Sequence, residues 1–545
     1  MKTVSLAIEW RNESPKGRIE VINAEFGGGS VITGKAKWQN DRFTFSGSGA
    51  CRIQFTVKKG QLGYGPHQSR VTVHNGARSF TFFVRDVTSA HPVLIALYGV
   101  MVVPATDRRS YDEVAAAVQS SGATSIQQRI DQEPEECYEN ACAGNRNETC
   151  PNWLGLSRDM RFFEVGCHPH SGFWGYVQPR FHSMLPALPE LDHKPYLLNF
   201  AIGKGSACRH DMTRRLDEGY LPILHATQRE EAITYNLTAF ATLETSPLTV
   251  SGLRGSEWQA CYPNTNGHML KPEELEQLKD LVKQETVGRE EETVLRIRIT
   301  AVNSGATPCY TWFKTPFCQP ATTNSTYDSA HGWSCFSSGR VYAVSRLSGK
   351  AAPSEEMAVL LQPGATVTLD ILIPHQPVSK ARAEKLAAAN YEVQLADCRA
   401  FWKAKLHAGA SISVPETAIA ERIKAGLLHC DIAALGREPD GPVLATIGWY
   451  APIGSESSPI IQFFDSMGWH KLAERCLEFF LERQRPDGFI QNFAGYQLET
   501  GPALWTMGEH FRYTRDIKWV RRIKPKLLKA CDYLLAWRER NKQPA

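Results

Sequence analysis

Residues 472–488, LAERCLEFFLERQRPDG, decide how the second part of this chain folds. Apolar side chains recur there at helical spacing, at Leu472, Cys476 and Phe479, and Pro486-Asp487-Gly488 follows as turn-forming punctuation. This pattern predicts an amphipathic helix with one buried face and a defined end.

Similar helical segments lie on both sides of this stretch, so we predict that residues 411–545 are all-helical. The preceding segment, from about Ser379, is rich in Ala, Lys, Glu and Leu and has no Gly or Pro before Gly409. It predicts one long connecting helix, which we place within residues 376–410.

Residues 1–375 have a different pattern, with short alternating segments between turn signals. Asn75-Gly76 separates two such segments and predicts a β-hairpin. A further example is the alternation of Leu295, Ile297 and Ile299 with Arg296, Arg298 and Thr300. It predicts strands with one dry and one wet face, as in an antiparallel sandwich of one or two subdomains. With helical insertions at residues 111–145 and 272–284, the chain is predicted to be a multidomain β + α protein.

Composition excludes several classes of function. The 545 residues carry a net charge of +4 with no long basic run, so we expect no nucleic-acid partner. No apolar run reaches the ~20 residues of a spanning helix, so we expect no membrane partner. The amino-terminal residues lack an apolar signal segment, which favours a cytoplasmic protein.

The 14 cysteines are scattered without a Cys-x-x-Cys pair, and we interpret most of them as reduced and buried. Two stretches, at residues 167–170 and 208–211, combine Cys with His, and Cys137, Cys142 and Cys150 lie near Cys167 in sequence. Neither spacing is typical of zinc ligands, so we predict no metal and no other cofactor.

Two loops mix aromatic side chains with amides and carboxylates, at residues 449–457 and 491–500. Sugars present apolar CH faces and many hydroxyls, so a sugar site needs aromatic platforms beside hydrogen-bonding side chains. The predicted substrate-binding residues are Trp449, Tyr450, Glu456, Gln497, Glu499 and Trp505.

Cleavage of a glycosidic bond needs two carboxyl groups, and Glu456, Asp465, Asp487 and Glu499 are the local candidates. Each of these four carboxylates could instead have a purely structural role. Asp465 fits an ordinary polar helix position and Asp487 a turn, while Glu456 and Glu499 fit helix-start carboxylates. We expect Glu499 to face the surface, where it would accept hydrogen bonds from sugar hydroxyls. Arg158-Asp159 is either part of a loop that reaches the mouth of the helical barrel or an ion pair within its own domain.

The helical stretch resembles the glucoamylase-like, six-hairpin glycosidases. In that family a loop leads onto an inner helix, an outer helix ends in Arg/Gln-x-Pro-Asp-Gly, and another loop enters the next inner helix. The corresponding parts here are residues 449–457, 472–488 and 497–505, followed by residues 508–516. The resemblance implies that residues 411–545 form part of an (α/α)6 barrel, for which a preceding β-sandwich and linker helix are common companions.

The resemblance also implies a glycoside hydrolase that uses paired carboxylates, or the N-terminal portion of one. The family's toroid has twelve helices, and we predict about five before Ala545. The family's proton donor and base would therefore follow this sequence, so the catalytic residues stay unassigned, with Glu456 and Glu499 as candidates. Glu456-Ser457 stands where many relatives have an Arg-Asp pair that holds sugar hydroxyls.

Two other hypotheses stay open. One is a glycoside phosphorylase, in which phosphate replaces water. The other is a non-catalytic carbohydrate-binding or assembly subunit of a split enzyme. In each case the expected partners are a carbohydrate and either a second chain that completes the toroid or another copy of this chain.

Overall fold

The computed structural model describes residues 2–62, 67–121, 135, 137, 150–166, 175–204, 212–265, 270–287, 289–319, 325–493, 495–496 and 498–542. The chain divides into two compact units, Met1–Arg146 and Asn147–Ala545. Antiparallel sheets occur in both units, and most of the helical structure lies in the second. The prediction of a multidomain β + α chain is therefore confirmed.

Strands dominate the first unit. They are β1 (Lys2–Trp10), β2 (Lys16–Ile22), β3 (Glu25–Thr33), β4 (Ala36–Gln39), β5 (Arg42–Phe45), β6 (Cys51–Gly60), β7 (Arg70–His74), β8 (Phe80–Phe83), β9 (Val93–Ile95) and β10 (Val100–Pro104), followed by helix α1 (Tyr111–Ser120). Two five-stranded sheets form, in the orders β3-β6-β1-β10-β9 and β4-β5-β2-β7-β8. Both contribute buried side chains to one core, which includes Trp10 and Phe43.

The predicted hairpin is present in this unit. Strand β7 pairs antiparallel with β8, with Val71 opposite Phe82. The connection is longer than a two-residue turn, because a short 3-10 turn at Gly76–Arg78 follows Asn75.

The second unit begins with a further set of strands and two helices. The strands are β11 (Asn152–Leu154), β12 (Arg161–Gly166), β13 (Gly175–Phe181), β14 (Leu197–Ile202), β15 (Met212–Asp217), β16 (Leu221–Glu230), β17 (Ile233–Leu243), β18 (Thr293–Asn303), β19 (Cys309–Gln319), β20 (Ser325–Asp328), β21 (Trp333–Phe336), β22 (Val341–Leu347), β23 (Lys350–Ala351), β24 (Glu356–Leu361) and β25 (Thr366–Pro374), and the helices are α2 (Trp258–Cys261) and α3 (Pro272–Thr286).

These strands form two sheets that share a core. One has the order β11-β12-β13-β14-β19-β24, and the other has the order β15-β16-β17-β18-β25-β22-β21-β20, with β23 paired to β22. Strand β18 pairs antiparallel with β25, and Leu295 lies opposite Ile373. The alternating apolar side chains of β18 and of β25 are buried in the shared core, as a period-2 pattern predicts.

Two helices, rather than one, connect these sheets to the remaining chain. They are α4 (Lys380–Ala388) and α5 (Tyr391–His407), and Ala389 between them is extended. The Asn390 side chain accepts hydrogen bonds from the amides of Glu392 and Val393, at 2.9 and 3.2 Å. The prediction of a single long helix is wrong because Asn390 caps a new helix without any Gly or Pro.

The face of β18 that carries Arg296 is buried, which contradicts the prediction of a wet face. Arg296 was expected on a wet face, but only 3% of it is exposed. Its guanidinium lies beside the end of α4, where Nη1 donates to the carbonyl of Leu386 at 3.5 Å. The alternation predicts which residues share a face, but it does not show that helices cover that face.

Helices make up most of the remaining residues, together with one short β-ribbon that the all-helical prediction missed. The elements are α6 (Thr417–Ile432), β26 (Ala434–Leu435), β27 (Leu444–Ala445), α7 (Ser457–Ser466), α8 (His470–Glu482), α9 (Thr500–Thr514) and α10 (Ile517–Arg540). Helices α7 and α9 contact each other, α8 contacts both, and α10 contacts α9. None of the helices in the described residues is long and apolar enough to span a bilayer.

A buried ion pair joins the sheets of the second unit to these helices. Arg158, in the turn between β11 and β12, is completely buried and has a left-handed φ of 66°. Its guanidinium donates to the Asp431 carboxylate at the end of α6 and to the carbonyl of Ala434, the latter at 2.6 Å. Asp431 also accepts from the hydroxyl of Ser157. Arg158 thus reaches the helices, but as part of a buried ion pair and not as an accessible loop at the mouth of a barrel.

Asp159 has the local role instead, because its carboxylate pairs with Arg161, 2.6 Å away. Close backbone packing supports the junction as well. Gly255 has a φ of 70°, and a Cβ there would lie 2.0 Å from the carbonyl oxygen of Gly436. Only glycine permits this approach.

Further charges surround the pair. Lys405 Nζ lies 2.9 Å from Asp431, while Glu438 lies 3.2 Å from Arg158 and 3.0 Å from Arg475. Burial lowers the pKa of Arg158 to about 10, so this guanidinium stays charged at neutral pH. The cluster thus holds two arginines, one lysine and two carboxylates, and burial together with the Arg158 charge lowers the pKa of Lys405 well below its usual value.

We predict that Asp431→Asn lowers the free energy of unfolding by about 3–5 kcal/mol, since it removes the carboxylate that pairs with the buried Arg158 guanidinium. Arg158→Met should cost less, because Lys405 still lies 2.9 Å from Asp431 and no longer faces the Arg158 charge that lowers its pKa. Urea denaturation measures both values. Lys279→Met, which removes an exposed pair with Glu276, is the control and should change stability by about 1 kcal/mol or less. An Asp431→Asn loss no larger than this control would contradict the proposed role.

Candidate functional site

The two aromatic loops predicted from the sequence lie against each other at the amino ends of α7 and α9. Ser455 Oγ is 3.3 Å from the hydroxyl of Tyr496, and the rings of Tyr450 and Phe493 are 6.3 Å apart. At Gly454, a Cβ would lie 2.3 Å from the carbonyl oxygen of Glu499, so a larger residue would separate the loops.

Glu499 holds these loops together from the inside. It is 0% exposed, and its carboxylate accepts hydrogen bonds from three backbone amides. The donors are Asn492 at 2.8 Å and Phe493 at 2.9 Å from its own loop, and Gly454 at 3.2 Å from the other loop. The expectation of a surface-facing Glu499 is wrong, because its charge satisfies buried amides that no strand or helix pairs.

The electrostatics of Glu499 follow from this position. Burial raises the pKa of its carboxyl, the hydrogen bonds from the three amides oppose that rise, and the nearby Glu456 carboxylate adds to it. Glu499 makes no side-chain capping bond to the first turn of α9, so it is not a simple helix cap.

The outer surface of the two loops is aromatic. Trp449 is 44% exposed, Tyr450 is 47% exposed, and Trp505 in the second turn of α9 is 56% exposed. Glu456 is also exposed, directly before α7. These four residues, which we call the aromatic surface, keep the exposure that contact with a ligand requires.

Residues from the sheets support Trp449. The Arg180 guanidinium lies 3.9 Å from the centroid of the Trp449 ring, and Trp153 meets that ring edge-on at 5.8 Å. Arg180 is itself buried and donates to the carbonyls of His182 and Ser183, at 3.1 and 2.9 Å. This cation–π contact restricts the position of an otherwise exposed tryptophan.

His182 links the same sheet to the loop before Trp449. It is fully buried, and its Nε2 lies 3.0 Å from Thr446 Oγ1. Burial and the neighbouring Arg180 charge lower the pKa of His182 to about 3, so the ring is neutral at neutral pH. Sequence reasoning missed Trp153, Arg180 and His182, because only the packing of the sheet against the helices brings them to residues at least 264 positions away.

The other predicted carboxylates have structural roles. Asp487 Oδ1 accepts from the amide of Phe489 at 3.1 Å, which confirms the interpretation as a turn. Asp465 is buried in α7, and its carboxylate lies 3.0 Å from the Nδ1 atoms of both His470 and His510. Gln497 lies outside the described residues.

No group of three or more potential ligands in the described part of the chain is placed to hold a metal ion. The Cys-His stretches at 167–170 and 208–211 lie outside that part, as does Cys142. A cavity of about 930 Å³ lies elsewhere in the second unit, beside Lys405, Glu438 and Arg475. Its lining has equal numbers of acidic residues and of lysines and arginines.

Neither the protein-family models nor the curated proteins compared with this chain give a match. The chemistry of the site is therefore argued from its side chains. The aromatic surface offers rings and one exposed carboxylate, Glu456. The second carboxylate, Glu499, is directed into the loops.

We predict that Glu499→Ala lowers the free energy of unfolding by about 1–3 kcal/mol, because buried amides lose their acceptor. The matched control is Glu456→Ala, which removes an exposed carboxylate from the other loop and should change stability by about 0.5 kcal/mol or less. Urea denaturation of both variants gives the comparison. Equal losses would show that Glu499 does not hold the loops together.

Glu499 should also give stability a pH dependence. A carboxyl with a raised folded-state pKa contributes stability that is complete below its unfolded pKa and is lost as pH rises through the folded value. We therefore expect the stability difference between wild type and Glu499→Ala to be largest below the ordinary value of 4.5 and to shrink above it. Denaturation curves across that window measure the difference. A difference that grows with pH would mean that the amide bonds outweigh burial.

Proposed function

We propose that this chain acts on glycosides and that the aromatic surface binds the sugar. The observation that carries the proposal is the exposure of Trp449 and Tyr450 on a loop that a buried carboxylate holds in place, together with the exposure of Trp505 in α9. Exposed aromatic rings beside polar groups suit the CH faces and hydroxyls of sugars. The preorganisation of Trp449 by Arg180 reduces the ordering that binding requires.

The reaction we propose is hydrolysis of an O-glycosidic bond, with Glu456 as the described carboxylate that is accessible to a sugar. Support comes from the resemblance of the helical sequence to six-hairpin glycosidases. The pairing of α7 with α9, with α8 packed against both, is compatible with part of an (α/α)6 barrel. We place the sugar at the amino ends of α7 and α9, because the two loops that resemble those of the six-hairpin glycosidases lie there.

A helical partner is part of this proposal. Leu528 and Leu535 are exposed on α10 and are seven residues apart, so they share one helix face. An exposed apolar face of this kind favours further packing, either against a second chain that completes the toroid or against another copy of this chain.

A non-catalytic glycan-binding protein is the second candidate. The inward direction of Glu499 favours it, because only one of the two candidate carboxylates is exposed, whereas glycosidic cleavage needs two. Turnover of aryl glycosides and oligosaccharides separates the candidates. Binding without turnover, with any partner chain supplied, would favour the second.

We predict that Trp449→Ala weakens binding of the recognised oligosaccharide by about tenfold, equivalent to about 1.4 kcal/mol. Trp505→Ala should have a similar effect. Calorimetric titration with a panel of oligosaccharides measures these affinities.

The matched control is Trp312→Ala, since Trp312 is comparably exposed on β19 beside Tyr310. It should leave the affinity unchanged. If no oligosaccharide binds, or if all three variants lose affinity equally, the aromatic surface is not the sugar site.

A further inference from the structure

One face of the sheet β4-β5-β2-β7-β8 in the first unit is rich in exposed cations. Alternate residues of its strands, such as Ile19, Phe43 and Val73, are buried in the core. The residues between them therefore lie on the opposite, outer face. Five of those residues are basic, and we call them the basic face: Lys16, Arg18, Lys37, Arg42 and Arg70. Four of them are exposed, and the Arg18 side chain is 42% exposed.

The register of the strands brings these cations close together. Arg18 on β2 lies directly opposite Arg42 on β5. In the neighbouring row, Thr44 lies opposite Lys16 on one side and opposite Lys37 on the other. Like charges directly opposite each other destabilise a sheet, so this arrangement favours an anionic partner that compensates them.

Carboxylates of the protein do not balance this charge. Glu20 lies on the same face, and its carboxylate is 3.3 Å from Arg18 and 2.6 Å from His74. The other four cations of the basic face make no ion pair within the part of the chain that the structure describes. Even if Asp41, in the turn between β4 and β5, is counted with Glu20, five cations face two carboxylates.

The neutral residues of this face favour a sugar polymer as the partner. Thr44 and Gln39 are exposed between the cations, and their hydroxyl and amide groups suit the hydroxyls of sugars. The apolar side chains on the face, Ile22 and Phe83, are half-buried. The described residues of the face therefore offer no exposed ring for stacking of a nucleobase and no exposed apolar group for insertion into a bilayer.

The spacing of the cations suits a polymer with one carboxylate on each sugar unit. Adjacent strands are about 4.8 Å apart, and the sugar units of a linear polysaccharide repeat at a comparable interval. A chain that crosses β4, β5 and β2 meets Lys37, Arg42 and Lys16, one on each strand. Each exposed ion pair would contribute little alone, but several pairs along one polymer act together.

We propose that the basic face binds a polyuronate, a linear polysaccharide with a carboxylate on each sugar unit. The carboxylates pair with the lysines and with Arg42, whose guanidinium can donate two parallel hydrogen bonds to one carboxylate. This binding surface lies in the first unit, apart from the aromatic surface in the second. It does not depend on the proposed action on glycosides.

The test is calorimetric titration of the full chain with polygalacturonate, at equal sugar concentration to its methyl ester as the control polymer. The ester has the same backbone without the charges, so it should bind at least tenfold more weakly. Raising the ionic strength from about 0.01 M to about 0.15 M shortens the Debye length from about 30 to about 8 Å, so binding of polygalacturonate should weaken.

The double variant Lys16→Gln/Lys37→Gln should weaken binding of polygalacturonate at least tenfold. Lys2→Gln/Lys58→Gln is the matched control, because it removes two exposed lysines from the other five-stranded sheet of the same unit. The control should bind as the wild type does, and both variants should keep the Tm of the wild type.

Three results would overturn the proposal. They are no binding of polygalacturonate at low ionic strength, equal binding of its methyl ester, and equal loss of affinity in the two double variants. Duplex DNA and phosphatidylserine vesicles are compared at the same ionic strength. Tighter binding of either would identify a different partner for the basic face and would also overturn the proposal.

Discussion

The ion pair between Arg158 and Asp431 is the interaction on which the second unit depends. It connects a turn of the six-stranded sheet to the last turn of α6, with no exposure of either side chain. Two buried charges are unfavourable unless each has a partner, so the pair fixes where the helices meet the sheet. The ribbon of β26 and β27 and the loop that carries Trp449 follow directly along the chain.

The candidate site depends on this junction, because its parts come from both sides. Trp449 lies in a loop of the helical region, whereas Arg180 and Trp153 belong to the six-stranded sheet. Glu499 in turn holds the two loops of the helical region against each other, because its carboxylate accepts hydrogen bonds from backbone amides of both. The resulting surface has buried hydrogen bonds underneath and aromatic rings outside, an arrangement that suits the sugar binding that we propose.

Much of the fold was predictable from local pattern. The alternation around Leu295 predicted a strand, and that strand, β18, is present and pairs with β25. The Pro486-Asp487-Gly488 turn and the helices around it were also predictable, because helix periodicity and turn chemistry are local properties. The break at Asn390 was missed because a capping side chain ends one helix and starts another without changing composition.

The site was less predictable, since burial is a property of tertiary structure. A glutamate before a helix has the same sequence signature whether its carboxylate faces a ligand or, like Glu499, buried amides. Arg296 is a second case in which burial could not be predicted. The alternation of β18 predicted a wet face there, but α4 and α5 lie against that face. The cation–π contact of Arg180 with Trp449 joins residues far apart in sequence, and no local pattern indicates it.

Native-state hydrogen exchange of the full chain, followed by mass spectrometry, tests most directly whether the buried junction makes sheets and helices one cooperative unit. The account predicts that amides of α6 and of β17 exchange through the same opening, with the same free energy and denaturant dependence. Exchange of α6 to α9 through a separate opening of lower free energy, while β17 stays protected, would contradict it.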